Sequence, residues 1–68
     1  MANTIIKNNE DLNIFVSNID TNKTLFAIKA KGGIEVFTNK RSFNKALKLV
    51  PNAVNGELTP YNYMWYRF

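Results

Sequence analysis

Thr24-Leu-Phe-Ala-Ile-Lys-Ala-Lys-Gly-Gly-Ile-Glu-Val-Phe-Thr38 is the stretch whose reading decides the fold. Two alternating apolar runs flank Lys31-Gly32-Gly33, and paired glycines supply the positive φ that a tight hairpin needs. Register follows from the side chains. A Gly-Gly loop would set Ala30 opposite Glu35 and put that carboxylate beside Phe26 and Ile28. A three-residue loop pairs Ala30 with Ile34, Ile28 with Val36 and Phe26 with Thr38. It gathers Phe26, Ile28, Ala30, Ile34 and Val36 on one face and sets Lys29 opposite Glu35 on the other. Because a one-residue slip moves every side chain to the opposite face, the three-residue loop is the expectation.

Upstream, Leu12-Asn-Ile-Phe-Val-Ser-Asn-Ile19 reads two ways. Leu12, Phe15, Val16 and Ile19 fall at helical spacing, and Asn8-Asn9 followed by Glu10-Asp11 resembles a helix start. The run is also rich in residues that form helices poorly and strands well, which tips the expectation to a strand ending at the Asp20–Thr24 turn. Leu12, Ile14 and Val16 would then join the core face, with residues 4–7 as an edge strand. The helical alternative gives the order β-α-β-β-α-β, a ferredoxin-like arrangement.

Downstream the pattern is plainer. Phe43, Ala46, Leu47 and Val50 form one apolar stripe, so residues 38–50 are expected to hold a helix capped by Asn39 or Ser42 and ended by Pro51. Asn55-Gly56 reads as a break. Residues 61–68 then read as a last strand, with Tyr61, Tyr63, Trp65 and Arg67 on one face and Met64, Tyr66 and Phe68 on the other. The expected fold is α+β: a small antiparallel sheet, a meander plus a C-terminal strand, with one helix packed on one face.

Sixty-eight residues form a single domain, residues 1–68, with roughly 60% of the chain's surface hidden on folding. The chain has neither Cys nor His, which removes disulfides, the usual zinc ligand sets, thiol nucleophiles and an imidazole proton shuttle. Glu10 and Asp11 are adjacent and point apart, Asp20, Glu35 and Glu57 stand alone in sequence, and no Gly-rich phosphate cradle is present. No enzyme and no cofactor is expected. No apolar run approaches the ~18–20 residues of a membrane span, and no signal-peptide pattern opens the chain, so a cytoplasmic protein is expected.

Charge is unevenly spread. The net charge is +4. Residues 21–50 carry seven bases and one acid, whereas residues 1–20 carry one base and three acids. A basic middle third points to an anionic partner, nucleic acid or an acidic protein surface. Phe, Tyr, Met, Ile, Asn and Lys fill 34 of 68 positions, the bias of A/T-rich codons, which also accounts for some of the lysine and points to an A/T-rich bacterium or one of its phages or mobile elements.

One helix covers one face of a sheet. The other face, with Phe15, Ile19, Leu25, Ala27 and Phe37 on it, would then stay open for a partner, a second copy or stacked bases. Candidate binding residues are Lys29 and Lys31 at the hairpin tip, Arg41, Lys45 and Lys48 opposite the helix's apolar stripe, and the aromatics Phe15, Phe37, Tyr63 and Trp65. Ile14-Phe-Val-Ser-Asn-Ile19 resembles the first-strand signature of RNA-recognition-motif domains, which would place Phe15 at a base-stacking position. Lys31 to Phe37, leading into residues 38–50, is loosely similar to that family's third strand and second helix. Gly33, Glu35 and Thr38 stand where the family has aromatics, and only about residues 21–24 separate the first strand from the next.

The functional expectation is a non-enzymatic binding protein, an accessory factor of a phage or mobile element associated with nucleic acid or a nucleic-acid-handling complex. The alternative is a protein inhibitor of a host or defence enzyme, of anti-CRISPR or anti-restriction type, with the open face as its interface.

Overall fold

In the computed structural model, which describes residues 4–68, the chain runs β1 (Thr4–Ile6), α1 (Asn9–Ser17), β2 (Leu25–Ala30), β3 (Gly33–Phe37), α2 (Lys40–Leu47) and β4 (Val54–Leu58), and ends in a 3₁₀ turn (Tyr63–Tyr66). The four strands form an antiparallel sheet in the order β1-β3-β2-β4. The α+β class and antiparallel sheet are as expected from sequence; the number of helices is not.

Residues 9–17 are helical. Asn8, with extended backbone, accepts the Asp11 N–H on Oδ1 at 2.8 Å, and its Nδ2 donates to the Asp11 carboxylate at 3.1 Å. Glu10 and Asp11 sit in the first turn, where the helix dipole favours negative charge. Leu12 is fully buried, and Phe15, Val16 and Ile19 pack around the same cluster. Packing of that stripe outweighs the weak intrinsic propensity that argued for a strand. The likeness of Ile14–Ile19 to an RNA-recognition-motif strand ends there, since Ile14 to Ser17 are helical and Phe15 faces the core.

The hairpin sits where expected but one residue out of the expected register. Ala30 lies opposite Gly33, so the loop is the two residues Lys31 and Gly32. Gly33 has φ +132°, and a Cβ there would lie 2.7 Å from the Ile6 carbonyl oxygen. Close approach of β1 therefore requires glycine inside the strand. The shift turns Ile34 and Val36 to the face of Ala27, while Phe37 joins Phe26 and Ile28, and Lys29 faces Ile34 instead of Glu35.

Strand order explains where the two helices go. β1 and β2 run parallel with β3 between them, and β3 and β4 run parallel with β2 between them. Helix-containing connections between parallel strands share one hand. Both crossovers step the same way across the sheet while their strands run in opposite directions. A common hand then forces α1 and α2 onto opposite faces. Had β4 returned beside β1, both helices would share a face, as in the ferredoxin-like alternative; the element order is that of the alternative, but the strand order is not.

Two cores result. Ile6, Leu12, Ala27, Ile34, Val36, Leu58 and Tyr66 fill the α1 side, and Ile28, Phe37 and Phe43 anchor the α2 side. There Phe43 stacks on Phe26 with centroids 5.2 Å apart and meets Phe37 edge-on at 6.0 Å.

The expected C-terminal strand is absent. Asn55-Gly56, read as a break, lies within β4, and Tyr63–Tyr66 turn back over the α1 side. Gly56, with φ +140°, leaves its position open beneath the Tyr66 hydroxyl, which donates to the Glu57 carbonyl at 3.2 Å. Tyr66 is the largest fully buried side chain. No helix among the described residues is long and apolar enough to cross a membrane.

Candidate functional site

With a helix on each side of the sheet, the open apolar face expected from sequence is not there. Phe37 is 2% exposed and Phe15 is half-buried under α1, so neither presents a ring to a base. Tyr63 is also half-buried against the α1-side core. Lys29 is half-buried; its Nζ donates to the Arg67 carbonyl and lies 5.1 Å from the centre of the Phe68 ring, a contact that ties down the last residues of the chain.

The basic residues of α2 are brought together. Asn39 starts the helix, its Oδ1 accepting the N–H groups of Arg41 at 2.7 Å and Ser42 at 3.4 Å. Phe43, Ala46, Leu47 and Val50 face the sheet. The opposite side of the helix holds Lys40, Arg41, Asn44, Lys45 and Lys48, all exposed and all lining one shallow depression. Arg41, Lys45 and Lys48 were expected on this face, whereas Lys40 and Asn44 were missed. Stepping back by four from Lys48 reaches both, so the signal was in the spacing. Lys31, exposed at the hairpin tip, lines a hollow with Leu49 and Val50 just beyond α2, which carries the positive surface off the helix.

Electrostatically this face is unfavourable to the helix that bears it. α2 contains no acidic residue, and its first turn opens with Lys40 and Arg41, beside the positive end of the helix dipole. Arg41 and Lys45 are i,i+4 neighbours of like charge, and Lys45 and Lys48 are i,i+3 neighbours. Lys45, in the last turn, and Lys48, at the C-cap, complement the dipole, so the cost to folding falls on the first turn and on the like-charge pairs. An incoming polyanion meets four cations within about 12 Å of helix.

Exposed aromatic side chains belong to the C-terminal segment, and Leu49, an exposed aliphatic residue, stands just beyond α2. Trp65 is 71% and Tyr61 92% exposed, with Met64 and Phe68 also open to solvent. They lie on the α1 side: Tyr61 lines a hollow with Ile19 and Thr21, and Phe68 is bonded to Asn9. Trp65 is thus on the other side of the sheet from α2, and the basic and aromatic halves of the expected site are separated. Tyr61, Met64 and Phe68 were not among the expected binding residues. A small apolar groove, about 290 Å³, also opens where α2 stops short of β1, between Ile5, Ala30, Ala46 and Leu49.

Among the described residues no group of three or more acidic side chains converges as a metal site would require. Among the described residues Tyr66 is the clearly perturbed group, its hydroxyl pushed above the ordinary tyrosine range by burial and, secondarily, by the Glu57 carboxylate. It serves packing, beneath the 3₁₀ turn. No protein-family model matches this chain, and neither curated proteins nor solved structures include a significant match.

Proposed function

We propose that the protein is a non-enzymatic binding protein that docks on nucleic acid through the outer face of α2, as an accessory factor of a phage or mobile element. The observation that carries this reading is the acid-free cationic face, with Lys40 and Arg41 at the helix end where cations are least favourable to folding. Phosphate contacts by Lys40, Arg41, Lys45 and Lys48 supply sequence-independent affinity, and Lys31 extends the contact at the hairpin tip. Titration against mixed-sequence nucleic acid should give an affinity that falls steeply with salt. Arg41→Ala, Lys45→Ala and Lys48→Ala should each shrink that slope. Binding that ignores both salt and these substitutions overturns the reading.

A second reading, inhibition of a host or defence enzyme by direct protein contact, is favoured by one specific observation. Tyr61, Met64, Trp65 and Phe68 are all exposed within the last eight residues, and Trp and Tyr are common interface anchors. Stoichiometric retention of one defined enzyme after nuclease treatment, lost in Trp65→Ala, would move the function to that segment.

A further inference from the structure

We infer that the α2 face takes double-stranded nucleic acid in preference to single strands, an inference that rests on the nucleic-acid reading above. Single-strand binders pair a cationic track with aromatic rings on which bases stack, each worth about 1–3 kcal/mol. Among the described residues no fully exposed ring stands beside α2; Phe26, half-buried, is stacked on Phe43. The aromatic side chain of α2 itself, Phe43, is 6% exposed and spent on Phe26 and Phe37. The exposed rings of Tyr61, Trp65 and Phe68 belong to the α1 side, across the sheet. A base lying against Lys45 has nothing flat to meet.

What the face does offer is a row of cations for backbone phosphates. Lys40, Arg41, Lys45 and Lys48 project from about 12 Å of helix, about one cation per 3 Å, and a duplex, with one phosphate per ~1.7 Å of axis when both strands are counted, has more than enough phosphates to pair with all four. Asn44 sits among the four cations and adds an uncharged amide that can donate to a phosphate oxygen. The ligand class is therefore a duplex bound by its backbone, with little sequence preference.

Fluorescence anisotropy of the full chain with a labelled mixed-sequence 20-bp DNA duplex, and separately with one of its strands, across a salt series tests this (a probe length of about two helical turns). The duplex should bind about tenfold or more tightly at matched salt, with a log–log slope near −3 to −4 for four phosphate contacts. Lys48→Ala should reduce the slope by about 1, Asn44→Ala should weaken binding and leave the slope alone, and Trp65→Ala should change neither. A single strand bound as tightly as the duplex, or a loss of affinity in Trp65→Ala, overturns the duplex inference while α2-dependent binding leaves the proposed function standing. If neither probe binds, both fall.

Discussion

The side chain of Asn9 holds the main chain of Phe68 from both sides: its Nδ2 donates to the Phe68 carbonyl at 3.0 Å, and its Oδ1 accepts the Phe68 N–H at 2.7 Å. Asn62 does the same at the rim of β4, donating to the Glu57 carbonyl at 2.8 Å and accepting the Thr59 N–H at 2.8 Å. A carboxamide offers the same kinds of donor and acceptor as a peptide group, one methylene from the backbone, and can stand in for a missing strand neighbour. With Asn8 and Asn39 as helix caps, asparagine serves here as a backbone partner. The expected A/T-rich codon bias would bear on the abundance of asparagine, not on its standing at these positions.

Asn9→Asp keeps the acceptor for the Phe68 N–H and replaces the donor with a second acceptor facing the carbonyl. It should cost about 1–2 kcal/mol and free the last residues, including the Lys29 contact to Phe68. Urea unfolding gives the stability change. Faster amide exchange at Arg67 and Phe68, with exchange in β2 and β3 unchanged, would show that the loss is local.

Gly33→Ala and Gly32→Ala separate the two hairpin glycines. At Gly33 any side chain meets positive φ and a backbone oxygen at 2.7 Å, so alanine should cost about 2–4 kcal/mol, enough to unfold a domain this small. Around Gly32 there is open space, and alanine there should be tolerated within about 1 kcal/mol. Equal effects at the two sites would contradict the two-residue loop.

Tyr66→Phe probes the buried hydroxyl. The native pKa lies above the ordinary 10.0, so the neutral phenol is the form the fold favours. Its stabilisation is complete below the unfolded-state pKa and is lost as pH rises through the native value. Removing the hydroxyl should cost about 1 kcal/mol near neutral pH, and the gap between the two proteins should narrow above pH ~10. Urea midpoints measured across that range check the sign; a gap that widens contradicts it.

Lys40→Glu should push stability and binding in opposite directions. A first-turn carboxylate complements the helix dipole, so the variant should be more stable by a few tenths of a kcal/mol. Its affinity for a DNA duplex should fall, with a shallower salt dependence. A variant that loses both would mean that Lys40 is structural.

Phe43→Ala and Trp65→Ala contrast two aromatic environments. Phe43 joins the rings of Phe26 and Phe37, and its loss should cost about 3–5 kcal/mol. Trp65 is 71% exposed, and its truncation should leave the thermal midpoint nearly unchanged.

Reading by local pattern succeeded where one element carried its own signal. In α2 the stripe Phe43, Ala46, Leu47, Val50 and the cap Asn39 give the same answer, and the face bearing Arg41, Lys45 and Lys48 follows by geometry. It failed where a distant segment cast the deciding vote. Turn rules applied to Lys31-Gly32-Gly33 cannot anticipate the carbonyl of Ile6 pressing on Gly33. Alternating aromatics in residues 61–68 imitate a strand, yet Tyr66 instead reaches back over Gly56 to the Glu57 carbonyl. Propensity in residues 12–19 favoured a strand until burial of Leu12 against the sheet is counted.

From the chain of residues alone come the α+β class, the hairpin's location, helix α2 and its cationic face, because each depends on contacts within about ten neighbours or on composition. Tertiary structure alone decided the register of β2 on β3, the helical state of residues 9–17 and the sealing of both sheet faces. Those depend on strand order, and strand order is set by which crossovers bury the most apolar surface with one common hand. That sum runs over the whole molecule, so no local stretch contains it.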